Sequence, residues 1–270
     1  GGCWYINALG FQRGHRADFD HWQALENRSW AFDEVLPYFK KLECWDGPAS
    51  EWRGQNSPLR VSNLRDPSPI SRALVEAAAA CGIDANDDYN GPDSTGASLA
   101  QVNQKNGRRC SAAEAYLRPA LMRPNLKVLT GCQVTRIGVE DGHARSVEYV
   151  RDGQQESVRA EREVLLCGGA FNSPQLLMLS GIGPAAHLEA HGIPVLHDLP
   201  GVGQNLQDHL MVLAKYACPQ PITLAGAQTL GNLLRYLLFR RGPLTSNFCE
   251  FVSFVKSDPQ LPGPDLEIAG

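Results

Sequence analysis

Hydrophobic positions recur at helical spacing in two stretches of the chain. The first follows Ser68 and Pro69, which suit the N-cap and the first helical position, and it stops before Gly82. Its apolar stripe comprises Ile70, Ala73, Leu74, Ala77, Ala78 and Cys81. The second stripe stops before Gly242 and Pro243. It comprises Leu230, Leu233, Leu234, Leu237 and Leu238. Both patterns predict amphipathic helices.

Capping signals and short apolar clusters predict further helices. Ser111 is followed three residues later by Glu114, a capping box before a helix that should end at Pro119. Ser173 is placed to cap a helix that runs through Leu179. Three other short helices are predicted at His21–Leu25, Glu34–Lys41 and Ala185–His191.

Alternating or continuous apolar runs predict the strands. These runs are Leu126–Leu129, Val134–Val139, Ala144–Val150, Val164–Cys167 and Glu250–Lys256. Two pairs, Asp141–Gly142 and Asp152–Gly153, are typical of tight hairpin turns. We therefore expect a mixed chain, in which a β-meander returns to a buried strand at residues 164–167.

The composition is that of an ordinary globular protein, with 43% hydrophobic and 20% charged residues among 270. The formal net charge is -4, and no cluster of Lys and Arg provides an electrostatic footprint for nucleic acid or an anionic membrane. We expect neither nucleic acid nor a transmembrane segment, because no apolar stretch approaches the roughly 18 residues that a spanning helix needs. The oligomeric state is not predicted.

Eight cysteines are spread along the chain without a Cys-x-x-Cys pair, which argues against a zinc or thioredoxin-type site. Most are expected to be small buried hydrophobes, so we predict a cytoplasmic protein, with peripheral association with a membrane left open. The chain starts without Met and ends inside a predicted strand. We expect it to be an internal part of a longer protein.

A candidate binding site is the pair Gly168–Gly169, which joins the predicted strand 164–167 to a helix N-terminus. Glycines at such a turn let backbone N–H groups approach a phosphate or a ring. The alternative, which spacing alone favours, is a tight connection in which glycine only relieves crowding. The motifs of NTP-binding loops, zinc proteases and serine hydrolases do not occur, so those functions lose support.

Seven histidines are possible acid–base groups. His15 and His209 are candidates for a place near a site, although a structural role is favoured for each. The paired carboxylates Asp87 and Asp88 lie in a turn-rich stretch and do not support a glycosidase assignment.

Two longer stretches, residues 1–15 and residues 169–183, carry a family resemblance. The first reads GGCWYINALGFQRGH, and the second reads GAFNSPQLLMLSGIG. Together they resemble the two sequence hallmarks of the glucose-methanol-choline oxidoreductases. Three further stretches agree in the family's order: Arg109–Leu117, Gly201–His209 and Gly242–Asn247. The resemblance covers essentially the whole chain.

The resemblance implies a fold of the α/β and α+β classes. It comprises part of an FAD-binding α/β domain, built from discontinuous segments, and part of a substrate domain with an antiparallel sheet. Residues 1–57 would form a segment of the FAD domain with a flavin-covering loop, and residues 58–102 a segment of the substrate domain. Residues 103–205 would return to the FAD domain, and residues 206–270 to the substrate domain.

The resemblance implies non-covalent FAD as the cofactor. Asn7 stands where some members have a histidine bonded to the flavin, and an amide cannot form that bond. The implied cofactor-binding residues are Gly2, Asn7, Ala8, Leu9, Gly10, Val134, Gly168 and Gly169. For Val134 the alternative is a plain buried strand residue. Small hydroxyl residues in most relatives are replaced here by Cys3, Trp4 and Tyr5, which puts side-chain hydrogen bonds to the cofactor in doubt.

The implied activity is oxidation of an alcohol, choline-like or another small primary alcohol, to an aldehyde or ketone by hydride transfer to flavin N5, with oxygen or a quinone as electron acceptor. The family's catalytic His and its His or Asn partner would lie beyond Gly270, so no catalytic residue is predicted in this chain. Glu250 is a candidate to attract a cationic substrate, and a surface strand residue is the alternative. Other functions left open are a non-redox hydroxynitrile lyase that contains FAD and a catalytically inactive fragment.

Overall fold

A computed structural model describes residues 8–270 as a mixed set of helices and short strands. The helices are α1 (Arg16–Ala24), α2 (Phe32–Leu42), α3 (Pro69–Ala80), α4 (Arg118–Ala120), α5 (Gly169–Leu179), α6 (Ala185–Ala190) and α7 (Leu230–Phe239). The strands are β1 (Glu43–Trp45), β2 (Leu59–Asn63), β3 (Gly96–Leu99), β4 (Gln101–Val102), β5 (Gln104–Lys105), β6 (Arg108–Arg109), β7 (Gln133–Glu140), β8 (His143–Arg151), β9 (Gln154–Arg159), β10 (Ile182–Gly183), β11 (His197–Asp198), β12 (Phe251–Val255) and β13 (Leu266–Ala269). A π-helical turn covers Ala113–Leu117, and 3₁₀ turns cover Leu224–Gly226 and Pro243–Thr245.

The chain divides into two compact units. The first unit contains the described residues up to Leu126 together with Tyr216–Gly270, and the second unit contains Lys127–Lys215. In sequence, the second unit therefore interrupts the first.

Two three-stranded sheets form the framework of the first unit. In one sheet β2 lies between a parallel β1 and an antiparallel β4. In the other, β12 lies between β13 and β3, and both pairings are antiparallel. Helix α3 packs on the second sheet, where Ala78 meets Ala97 and Phe251 in a buried cluster. The predicted helices at 70–81 and 230–238 and the predicted strand at 250–256 are confirmed as α3, α7 and β12.

The second unit is built on the antiparallel meander β7-β8-β9. Both of its turns contain two residues with positive φ, at 49° and 75° for Asp141 and Gly142 and at 52° and 77° for Asp152 and Gly153. These are the left-handed pairs that tight hairpins need, so the prediction from the two Asp-Gly pairs is confirmed. Helix α5 packs on β7, and Ser180 joins them: its Oγ accepts the Ile137 N–H at 2.8 Å.

Two predicted strands were wrong, Leu126–Leu129 and Val164–Cys167. Both stretches are irregular, and Leu165 is 76% exposed. A strand exists only by pairing, and no described strand pairs with either stretch. An apolar run therefore does not show whether a partner strand exists. Strand β9 was not predicted, because it is polar and largely exposed.

Two predicted helix boundaries were also wrong. Helix α5 begins at Gly169, so Ser173 lies inside the helix instead of capping it. The segment after Ser111 is π-helical, and helical structure continues through Pro119 to Ala120. The predicted end at Pro119 is therefore one residue short of the last helical residue, Ala120.

The sheets and helices confirm the mixed α/β class with small antiparallel sheets. Among residues 8–270, no helix combines the length and the apolar character that crossing a bilayer requires. None of the described cysteines forms a disulfide bond.

Candidate functional site

In the first unit, residues 8–14 form a loop that extends the edge of β4. The Phe11 N–H donates to the Gln101 carbonyl at 2.8 Å, and the Asn103 N–H donates to the Leu9 carbonyl at 2.9 Å. Gly10 forms an antiparallel bridge with Val102 between them. The backbone of residues 9–11 is therefore held along β4 by one bridge and two hydrogen bonds.

Leu9 gives the 8–14 loop an unusual backbone, with φ at 64°. The left-handed region costs a non-glycine residue about 1–2 kcal/mol, so the surroundings must hold it there. The side chain of Leu9 packs on the buried cluster that contains Leu64 and Val102. On either side of it, Ala8 and Gly10 are exposed, and nothing lies within 4 Å of where a Cβ of Gly10 would stand. The loop thus presents exposed backbone on both sides of the partly buried Leu9.

The side chains of Tyr89 and Asn90 both donate hydrogen bonds to the Phe11 carbonyl. The Tyr89 hydroxyl donates to it at 3.1 Å and Asn90 Nδ2 at 3.0 Å. The amide oxygen of Asn90 is also bonded: Oδ1 accepts the Arg13 N–H at 2.8 Å. Tyr89 also accepts the Gln101 N–H at 2.7 Å. Burial raises the pKa of the Tyr89 phenol, so the hydroxyl keeps its proton as a donor.

A buried charge cluster, made of Arg13, Glu43, Arg53 and Asp88, lies behind these two residues. Glu43 Oε1 accepts from Arg13 at 2.6 Å, and Oε2 accepts from Arg53 at 2.9 Å. Arg53 also donates to Asp88 and stacks its guanidinium 4.1 Å above the Trp45 ring. Burial lowers the pKa of Arg13, and the Glu43 carboxylate opposes this. The two cations are matched by two carboxylates, of which Glu43 is fully buried and Asp88 is 29% exposed. Pairing of this kind lets charge be buried.

Glu250 precedes β12 and is 1% exposed, which excludes the alternative of a surface strand residue. Its Oε2 accepts the Ser68 N–H at 2.6 Å and the Ser71 hydroxyl at 2.9 Å, so the carboxylate caps α3. This position suits a negative charge, because the N-terminal end of a helix is electropositive. The second oxygen, Oε1, is buried and has no partner among the described residues.

In the second unit, Gly168 and Gly169 start α5, and each needs glycine for a different reason. A Cβ on Gly168 would stand 3.2 Å from Asn172 and Ser173, which is tighter than side chains normally pack. Gly169 has φ at 85°, and nothing lies within 4 Å of its missing Cβ. No side chain caps the helix here. The first N–H groups of α5 and the open face of Gly169 are therefore available to a ligand.

Val134 lies on β7, the strand against which α5 packs. It pairs with Tyr149 immediately before a β-bulge, where the register shifts between Val134 and Arg136. Its side chain is half-buried. The second unit thus brings the elements that carry Val134 and the glycine pair into contact.

The predicted residues Gly2 and Asn7, and the departures Cys3, Trp4 and Tyr5, lie outside the described residues. Ala8, Leu9 and Gly10 share the first unit with Glu250, and both groups border the chain segment 99–102, since the Ala100 N–H donates to the Glu250 carbonyl at 2.7 Å. His15 has a structural role, because its Nδ1 accepts the Ala17 N–H and caps α1. His209 is exposed in an irregular stretch.

Sequence reasoning missed the residues that support the 8–14 loop: Tyr89, Asn90, Gln101 and the buried charge cluster. Their bonds join positions 77 residues apart for Arg13 and Asn90 and 30 apart for Arg13 and Glu43. Local spacing carries no signal for such pairs. The Asp- and Asn-rich composition of residues 84–96 indicated turns, and the turns are there, but nothing in it distinguished the buried Asn90 from the exposed Asp84 and Asp87.

Comparison with known proteins bears out the resemblance. A family model described as GMC oxidoreductase matches residues 1–211. The chain belongs to the GMC oxidoreductase family. This GMC chain is similar to the oxygen-dependent choline dehydrogenase of Brucella ovis, with 45% identity over 99% of the chain and 49% of the relative. The protein of the same description from Sinorhizobium medicae is 43% identical over the same shares of both.

Solved structures agree in fold. The GMC chain matches pyridoxine 4-oxidase from Mesorbium loti with a TM-score of 0.85 and 33% identity, over 100% of this chain and 50% of that one. An FAD-dependent oxidoreductase from Chaetomium thermophilum gives a TM-score of 0.84 at 28% identity, over 95% and 48%. The chain spans about half the length of the curated relatives it matches.

Each unit exposes bare backbone at one of the candidate positions. In the first unit, the exposed Gly10 leaves one side of the backbone open. In the second unit, the open side of Gly169 and the uncapped amides at the start of α5 suit an anionic group. Taken separately, these features are compatible with a planar ring or a phosphate.

Proposed function

We propose that the protein to which this chain belongs oxidises an alcohol to an aldehyde or ketone with FAD as cofactor. Membership of the GMC oxidoreductase family supports this, as do relatives at 43–45% identity that are described as choline dehydrogenases. The single structural observation that carries it is the open face of Gly169 at the uncapped start of α5. When bound, FAD supplies an acceptor at N5 for the hydride that leaves the carbinol carbon.

The proposed roles of this chain's residues are binding and orientation. The backbone of Ala8, Leu9 and Gly10 would lie against the isoalloxazine, and the family resemblance adds Gly2 and Asn7 as proposed cofactor-binding residues. In the second unit, Gly168 and Gly169 would approach the dinucleotide, and the backbone of Val134 would contact the adenine. Because Asn7 is an amide, the cofactor would be held without a covalent bond.

We further propose a small primary alcohol of the choline type as substrate. The names of the relatives support this choice, and a carboxylate near the substrate would attract a quaternary ammonium. Glu250 is our candidate, because its Oε1 is buried without a partner among the described residues while Oε2 caps α3. Oxygen or a quinone would then take up the two electrons.

The test is anaerobic titration of the purified protein, at its natural length, with choline. The visible absorption of bound flavin should bleach in proportion to the alcohol added, with betaine aldehyde as product. Admission of oxygen, or of a soluble quinone in its absence, should restore the bands and thereby identify the acceptor. Bound flavin that no alcohol bleaches, together with cyanide release from cyanohydrins, would refute the oxidation and favour a lyase.

A further inference from the structure

The 8–14 loop is held by an unusual number of buried hydrogen bonds. Both backbone polar groups of Phe11 are bonded, the N–H to Gln101 and the carbonyl to Tyr89 and Asn90. The next anchored amide, that of Arg13, is bonded to Asn90 as well. Surface connections are normally mobile, whereas the backbone of the 8–14 loop is bonded at several points.

We propose that Asn90 is a positioning residue, which sets the backbone of Ala8, Leu9 and Gly10 against the flavin through the Phe11 carbonyl. The proposal rests on the proposed function and deepens it, by naming what holds the flavin-contacting loop in place. Because Asn90 is 2% exposed, we assign it no direct contact with cofactor or substrate. Its amide works in both directions, as donor to Phe11 and acceptor from Arg13, so one side chain fixes two points of the loop.

The orientation of Asn90 is in turn fixed from behind. Its Nδ2 also donates to Gln101 Oε1 at 2.9 Å, and the same Oε1 accepts from Arg53 at 2.8 Å. Gln101 Nε2 donates to Asp88 at 2.8 Å, which assigns the two ends of that amide. A chain of bonds therefore runs from the buried charge cluster through Gln101 to Asn90. Rotation of the Asn90 amide would break its bonds to Phe11, Gln101 and Arg13 at once.

Leu9 shows why such support is needed. Its left-handed backbone is unfavourable for a residue other than glycine, so the neighbouring backbone must hold it. The Asn103 N–H binds the Leu9 carbonyl, and two residues further on Gln101 and Asn90 fix the backbone of Phe11. Strain that is maintained by surrounding bonds is typical of pre-organised ligand sites.

The experiment compares Asn90→Ser and Tyr89→Phe with the wild-type protein at its natural length. Asn90→Ser removes both the Nδ2 donor to Phe11 and the Oδ1 acceptor for Arg13. Tyr89→Phe removes one donor to Phe11 and keeps the ring. The matched control is Thr245→Val in the same unit, because Thr245 is 3% exposed and its Oγ1 donates one buried bond to the Gly242 carbonyl at 2.8 Å. Three quantities are measured: amide hydrogen exchange of residues 8–14, the visible flavin absorption with the Kd for FAD, and the thermal unfolding midpoint.

We expect Asn90→Ser to accelerate exchange in the 8–14 loop by about tenfold, to shift the flavin bands and to raise the Kd for FAD by about tenfold, since one net hydrogen bond corresponds to roughly that factor. Tyr89→Phe should show the same changes at smaller size. Thr245→Val should lower the unfolding midpoint without moving loop exchange, the flavin bands or the Kd.

Two results would overturn the proposal. Amide hydrogen exchange of residues 8–14 within twofold of wild type in both variants would mean that Asn90 does not position the loop. This holds whether or not the flavin bands and the Kd for FAD change. Faster exchange with unchanged bands and Kd would mean that the loop is held for stability alone. If Asn90→Ser does not fold, Tyr89→Phe decides by the same criteria. A wild-type protein that retains no FAD refutes the proposed function, and with it the role toward the flavin, while the exchange data separately decide the role toward the loop.

Discussion

The guanidinium of Arg13 donates to Glu43 Oε1 across 2.6 Å, and the two side chains are 3% and 0% exposed. Glu43→Gln leaves Arg13 and Arg53 facing a neutral amide in a dry environment. We expect this to lower the free energy of unfolding by about 3–5 kcal/mol, because removing one partner leaves buried charge uncompensated. Urea unfolding followed by circular dichroism measures it.

The control for this variant is Asp33→Asn, which breaks the bidentate pair with Arg16 at the surface. Exposed pairs are screened by water and salt, so its unfolding midpoint should stay at the wild-type value. Equal losses in the two variants would contradict the role assigned to the buried charge cluster.

Alkaline pH should weaken the first unit through Tyr89. Burial raises the pKa of this phenol above its unfolded value of about 10, so only the unfolded chain releases the proton just above that pH. The stabilisation is fully present below pH 10 and is lost as the pH rises toward the folded pKa, at up to about 1.4 kcal/mol per pH unit. Tyr89→Phe should have a flatter pH profile of urea unfolding between pH 9 and 11 than wild type. Tyr38→Phe, a change at an exposed ring, should follow the wild-type profile, and a Tyr89→Phe profile as steep as wild type would contradict the assignment.

Gly169→Ala tests the open face at the start of α5. The added methyl meets nothing in the chain but occupies the face that we assign to the dinucleotide, and its φ of 85° costs about 1–2 kcal/mol in strain. Gly142→Ala is the matched control, since φ is 75° in a hairpin turn with the same empty surroundings. Both should lower the unfolding midpoint similarly. Only Gly169→Ala should weaken FAD binding, by about tenfold or more in a fluorescence titration, and equal FAD affinity in both variants would remove Gly169 from the site.

Glu250→Gln separates a charge role from a capping role. A glutamine retains an oxygen that can accept from Ser68 and Ser71, so α3 keeps its cap while the negative charge is lost. We expect KM for choline to rise by about tenfold, and KM for its uncharged isostere 3,3-dimethylbutan-1-ol to stay unchanged. Parallel changes for both alcohols would show that Glu250 acts only through the helix.

The helices and hairpins were predictable because their causes are local. Pro69 and the apolar stripe after it start α3, and Asp141 with Gly142 selects a tight turn. The strand predicted at 164–167 failed because an apolar run does not contain its partner. The predicted start of α5 was wrong because the helix begins at Gly169, with Gly168 at the N-cap, four residues before Ser173.

The candidate site residues came from two different signals. Gly168 and Gly169 stand out by their place between an apolar run and a helix, whereas Gly10 is a candidate only through the family resemblance. The supports of the 8–14 loop are ordinary polar residues, and Arg53 and Asp88 are 35 positions apart. Whether such a residue is buried and paired depends on chain topology, which local pattern does not contain.

The bond between the Ser68 N–H and Glu250 spans 182 residues, with the whole second unit inserted between its ends. During synthesis at about 5–20 residues per second, α3 therefore waits roughly 10–40 s for its cap and for β12, the neighbour of β3. The meander β7-β8-β9 pairs only consecutive strands and closes through two-residue turns, so it needs no such delay. By this estimate the inserted unit can complete its pairings first, while the part of the first unit before Lys127 waits for Tyr216–Gly270 to emerge.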